Sequence, residues 1–119
     1  NYLGEQMAYK REFIVTKVYK VEEFARFPNV IVRIEAYWKI TNDQHPKGFK
    51  NYDLSKDINY VCSNDTFIDI DKVTDADLEK WLTKDMTTQD ILDIEIDSQP
   101  ELIRTDMMDS WIVHYDRNA

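Results

Sequence analysis

Glycine is nearly missing from this chain, with two in 119 residues. Loops that wrap a phosphate in backbone N–H groups need positions that only glycine takes cheaply, so a glycine-rich nucleotide cradle is excluded. Cysteine occurs once, as Cys62, which rules out an internal disulfide and fits assembly in a reducing compartment. His45 and His114 are the only histidines. Together with Cys62 they are three scattered groups, short of the ordered four-ligand spacing of a zinc site, and neither imidazole has an orienting acid beside it in sequence. No metal, no cofactor and no nucleophilic site are expected. Apolar runs are too short to cross a bilayer. Residues 1–11 show no charged start followed by an apolar stretch, so neither a secretory signal nor a membrane partner is expected.

What is present suits one folded domain. Hydrophobic residues make up 43% and charged residues 32%, a balance that belongs to neither a disordered tail nor a membrane protein. The charge of −8 is uneven. Residues 1–50 carry nine Lys or Arg against six Asp or Glu, and residues 51–119 carry six against seventeen. Direct nucleic-acid binding is not expected, because neutralising phosphates takes clustered cations. An acidic half serves first as a solvated surface; its sharper use is docking onto basic partners, including mimicry of nucleic acid.

The clearest pattern is Asn29–Thr41. Val30, Val32, Ile34, Ala36, Trp38 and Ile40 fall on one side, and Ile31, Arg33, Glu35, Tyr37 and Lys39 on the other. A period of two with β-branched and aromatic residues predicts a core strand whose outer row faces solvent or a partner. Residues 1–10 lack a pattern and read as an extended arm. Arg11–Phe24 predicts a first strand with Phe13, Val15, Tyr19 and Val21 on one face, and Pro28 implies a turn over Ala25–Asn29 that makes the pair a hairpin. Residues 42–53, rich in Asn, Asp, Pro and Gly, read as a loop. A third strand is expected around Ile58–Cys62 and another at Thr66–Asp71, joined as a second hairpin or as one strand with a bulge.

At Thr74 the period lengthens. Thr74 is a good N-cap, Asp75 and Asp77 suit a helix start, and Leu78, Trp81 and Leu82 share a face, which predicts a helix over Asp75–Lys84. Asp77 stands where a longer Glu would complete the usual capping box. Thr88 reads as the cap of a helix over Gln89–Asp97, although Leu92, Ile94 and Ile96 also alternate as a strand would. Ser98 and Pro100 imply either a short helix over Gln99–Met108 or a kink. The fold class is therefore α+β: an antiparallel sheet of about four strands (residues 11–71) with two or three helices (74–108) packed on one face, and Trp38 meeting Trp81 between the layers. Residues 11–111 form the domain and 112–119 a C-terminal tail.

Few residues suggest chemistry. Asp69–Glu79 begins like a calcium loop, but Thr74 stands where the turn glycine belongs and Lys80 where the bidentate Glu belongs. Asn64-Asp65-Thr66 matches a glycosylation acceptor by chance in a chain without a signal. Trp38 and Trp81 are in phase with the core faces of their elements, while Trp111 divides evenly between core and partner contact.

In order, Val30-Ile31-Val32 to Trp38, Phe67-Ile68, Thr74-x-x-Asp77-Leu78-x-x-Trp81, Ile94-Glu95 and Trp111 form an outline of hydrophobic punctuation. That outline resembles a family of small uncharacterised proteins of tailed bacteriophages, especially phages of marine cyanobacteria. The chain departs from the family in its arm before Tyr9, in Ser110 where a proline is expected, and in its extension from Trp111 to Ala119. The resemblance implies a phage-encoded protein and brings no catalytic residues. It leads to the expectation of a non-enzymatic virion component, a capsid decoration, neck or tail protein, acting in the particle by docking to other virion proteins or to copies of itself. Tyr2, Leu3, Ile31, Tyr37, Trp111 and Tyr115 are the candidate contacts. An acidic inhibitor of a host nucleic-acid-binding enzyme is the alternative.

Overall fold

A computed structural model describes residues 8–58 and 68–108. Strands β1 (Tyr9–Phe24) and β2 (Phe27–Asn42) form a long hairpin, followed by β3 (Lys50–Asp53), β4 (Lys56–Asp57), a 3₁₀ turn at Ile70–Lys72, and helices α1 (Asp75–Thr83), α2 (Thr88–Asp97) and α3 (Gln99–Asp106). The sheet has four strands and is antiparallel; β2 lies between β1 on one side and β3 and β4 on the other. The α+β class expected from the residue patterns is the class observed.

β2 is central because its alternation gives it a buried row: Ile34, Ala36, Trp38 and Ile40 are each at most 2% exposed. The hairpin closes more tightly than the proline suggested. Ala25 and Arg26 are the only loop residues, both with positive φ (53° and 73°), and the strand resumes at Phe27, with Pro28 inside it near its start. A two-residue loop with both residues left-handed matches the twist of the flanking strands, but it normally calls on Asn and Gly. Ala25→Asn with Arg26→Gly is therefore expected to raise stability by about 1 kcal/mol in urea unfolding. No gain would mean that the loop is unstrained.

Asn29 is also left-handed (φ 51°), and its side-chain oxygen accepts a hydrogen bond from Lys20 Nζ at 2.8 Å. After it the alternation keeps its phase from Val30 to Ile40, yet Ile31, expected on the outer row, is 4% exposed, so both faces are covered there and Ile31 leaves the set of candidate surface contacts. Two further corrections concern β1 and the loop after β2. Tyr9 and Lys10, assigned to the arm, open β1. Residues 50–53, assigned to the loop, are β3. Lys, Asn and Asp are poor strand formers alone, and here the ladder offered by β2 overrides that preference.

β4 pairs with β2 in the register Arg33↔Asp57 and Ile34↔Lys56, and Arg33 Nη1 donates to Asp57 Oδ1 across the pair at 3.0 Å. Ile58 N donates to Val32 O at 2.8 Å, so pairing reaches the first residue of the expected third strand. The rest of that strand, with Cys62 and Asn64–Thr66, lies outside the described residues. Ile70-Asp71-Lys72 is not strand: Lys72 N bonds back to Asp69 O at 2.8 Å, the local turn that the Asp-rich segment prefers to alternation.

α1 and α2 start on reciprocal caps. Thr74 Oγ1 accepts from Asp77 N at 3.2 Å while Asp77 Oδ2 accepts from Thr74 N at 2.9 Å, so Asp completes the box where Glu was expected. Thr87, not Thr88, caps α2, because Asp90 is three residues beyond it and returns the bond to Thr87 N at 2.8 Å. Ser98 makes no cap. It keeps helical angles and donates its hydroxyl to Ile94 O at 2.7 Å, so α2 and α3 join through a bend, with Pro100 in the first turn of α3, where a missing N–H is harmless.

The described chain divides into two compact units. One comprises residues 8–12, 38–52 and 86–108, with β3, α2 and α3; the other comprises residues 13–37, 53–58 and 68–85, with β4 and α1. In the second, Leu78 and Leu82 are the buried residues of α1, and Trp81 is half-buried. Trp38 belongs to the first, where its ring stacks on Tyr52 at 6.4 Å.

Candidate functional site

The chemistry-bearing side chains of the first unit gather where α2 and α3 meet the start of β1 and the end of β2. Glu95 is 6% exposed, and its Oε2 accepts from Arg11 Nη1 at 2.6 Å. The Arg11 guanidinium also lies 5.0 Å above the Trp38 ring, which stacks at 29° on Tyr52. A cation held between a carboxylate and an indole face is stabilised by both. Nearby, Gln99 Oε1 accepts from Tyr9 OH at 2.8 Å and from Asn42 Nδ2 at 3.0 Å. Burial raises the Tyr9 phenol above its usual range, with Asn42 opposing and the Glu95 carboxylate adding to the rise.

The loop over residues 43–49 is fastened to α3. Lys47 N donates to Asp106 Oδ1 at 2.9 Å, Phe49 N donates to Thr105 Oγ1 at 2.8 Å, and the Thr105 hydroxyl is shared between Phe49 O and Glu101 O. His45 Nδ1 stands 4.0 Å from Asp106 Oδ2, and Asn42 Oδ1 accepts from His45 N. Gly48 is required by proximity: a Cβ there would sit 2.0 Å from Leu102 O.

These groups form a brace between the start of β1, the end of β2 and the two helices. Arg11 and Glu95 spend their charges on each other, and among the described residues every buried side-chain nitrogen or oxygen has a hydrogen-bond partner. The described residues hold no group of three or more His, Cys, Asp or Glu arranged for a metal ion, and none of their helices is long and apolar enough to cross a membrane. Arg11→Met is expected to cost about 2 kcal/mol, since Glu95 would stay buried without its cation, and adding Glu95→Leu should recover most of the loss. Equal urea midpoints for wild type and Arg11→Met would show that water already serves the carboxylate.

The outward side of the same helices is different. Leu92, Ile96, Ile103 and Met107 recur at intervals of four, seven and four, the spacing of one helical face, and all are exposed. The inward line is Ile91, Glu95, Ser98, Leu102 and Thr105, from half-buried to buried. The strand-like alternation of Leu92, Ile94 and Ile96 does not describe this segment, which is helical with Leu92 and Ile96 outward. The signal for the true phase is Leu102, fully buried, which lies seven residues beyond Glu95 and places a carboxylate on the core line.

Of the contacts expected from sequence, Tyr37 is half-buried and Ile31 buried. Tyr2, Leu3, Trp111 and Tyr115 lie outside the described residues, as do Cys62 and His114. The exposed row on α2 and α3 is the surface that sequence reasoning missed. Compared with known proteins, the chain matches no family model, no curated protein and no solved structure.

Proposed function

We propose that this chain is a non-enzymatic docking component of a tailed-phage particle, serving as a capsid decoration, neck or tail accessory protein. The observation that carries the docking part is the row Leu92, Ile96, Ile103 and Met107: four large aliphatic side chains aligned in water on one face of α2 and α3. Scattered apolar residues are ordinary on a protein surface, whereas an aligned row that remains exposed marks a contact surface. The phage part rests on the order of hydrophobic landmarks from Val30 to Trp111. Its partners are other virion proteins or copies of the chain, its place is the assembled particle, and it works without a cofactor. Mass spectrometry of gradient-purified particles tests this: the chain should be present in a fixed ratio to the major capsid protein, and its absence from particles rejects the proposal.

A second reading, an acidic inhibitor of a host nucleic-acid-binding enzyme, draws on the exposed carboxylates of α2, Asp90, Asp93 and Asp97, which are accompanied by no Lys or Arg in that helix. A host-lysate pull-down that recovers a nucleic-acid-binding enzyme in a salt-sensitive complex, from a chain absent from particles, favours it over the first.

A further inference from the structure

We propose that the outer face of α2 and α3 receives a basic amphipathic helix of a partner protein, with the partner's apolar residues on Leu92, Ile96, Ile103 and Met107 and its lysines or arginines on the carboxylate rim. This deepens the docking reading and rests on it. Leu92 with Ile96 and Ile103 with Met107 form two pairs of anchors, each about 6 Å apart at 1.5 Å per residue, on either side of the bend at Ser98. A partner helix is read by apolar anchors at such spacings.

The rim decides which helix fits. Asp93 and Asp97 stand one residue beyond Leu92 and Ile96, and so border the row on one side, with exposed Asp90 one turn before Asp93. α3 adds one cation there, Arg104, but its guanidinium is held by the Glu101 carboxylate, with Nε 3.1 Å from Oε1. The first turn of α2 is acidic and its last turn has no basic residue to offset it. An apolar row bordered by carboxylates complements an apolar stripe bordered by cations. A second copy of this chain would set Asp against Asp, and an anionic lipid surface would be repelled by the same rim.

The probe is a leucine–lysine amphipathic peptide of about 18 residues, matched by a leucine–glutamate peptide of the same pattern, titrated into the full ¹⁵N-labelled chain. The expected result is amide shifts concentrated in residues 88–108 with the lysine peptide, none with the glutamate peptide, and affinity about tenfold or more weaker on going from about 50 to about 500 mM salt. Ile96→Asp with Ile103→Asp should abolish the response while leaving the circular dichroism spectrum unchanged, since both side chains are exposed. Shifts centred elsewhere, equal binding of the glutamate peptide, salt-insensitive binding or no binding overturn the proposal. So does a dimer by sedimentation that the double variant dissociates, because the face would then belong to a second copy. These outcomes are separable from the particle test: a chain found in virions that ignores the lysine peptide keeps its place in the particle and loses this partner.

Discussion

Trp38→Ala is expected to lower unfolding stability by about 3–5 kcal/mol, enough to unfold a marginal domain of this size at room temperature. The side chain is 1% exposed on the central strand. Its removal forfeits the transfer of the largest side chain in the core and leaves a cavity that the flanking strands cannot fill by moving. It also withdraws the ring beneath the Arg11 guanidinium and the stacking partner of Tyr52, so the Arg11–Glu95 pair loses its apolar floor. Urea unfolding followed by far-UV circular dichroism measures this. A loss below about 1 kcal/mol would remove Trp38 from the core, since surface substitutions typically stay within about half that. Trp38→Phe should recover part of the loss, because it restores a ring without the full volume.

Gly48→Ala is the second large effect, expected at about 3 kcal/mol. The added methyl carbon would lie 2.0 Å from Leu102 O, 2.7 Å from Leu102 C and 3.0 Å from Leu102 Cα. All three are backbone atoms of α3, and Leu102 is fully buried, so no side-chain rotation relieves the overlap. The loop must lift from the helix, and the bonds from Lys47 N to Asp106 and from Phe49 N to Thr105 go with it. Gly48 does not have positive φ, so the penalty is one of space rather than backbone preference. Faster amide exchange at Phe49 should accompany the loss of stability. An unchanged midpoint would mean that the loop can retreat without loss.

The sequence makes the hairpin, the buried row of β2 and α1 visible, because each announces itself locally, by alternation in β2 and by Thr74 and Asp77 before α1; for α2 it offers Thr88 as the cap and a strand as competitor, and for α3 a helix or a kink. What it hides depends on pairing. Lys50–Asp53 has no strand character of its own and becomes β3 only beside β2. Ile31 is buried on the row opposite Val30, which alternation alone places outside the core. Glu95 illustrates the reverse difficulty, since a carboxylate flanked by Ile94 and Ile96 looks solvent-facing until its partner, Arg11, is known to stand beside it. The candidate contacts drawn from aromatic residues near the chain ends lie outside the described residues, while the exposed aliphatic row on α2 and α3 shows only once the inward line through Glu95 and Leu102 fixes which helical face is buried.

The first unit is stitched from stretches far apart along the chain: Tyr9 meets Gln99 across 90 positions and Arg11 meets Glu95 across 84. The hairpin bonds are short-range by comparison, Lys20 to Asn29 across nine and Thr16 to Glu35 across nineteen. Loop closure makes distant contacts slow to form, and a chain made from its N-terminus must wait for its later segments. An order in time follows: the turn at Ala25-Arg26 can zip while synthesis continues, whereas Arg11 stays without Glu95 until α2 has left the ribosome. The beginning of β1 is thus made before the other described elements and is among the last to reach its final surroundings.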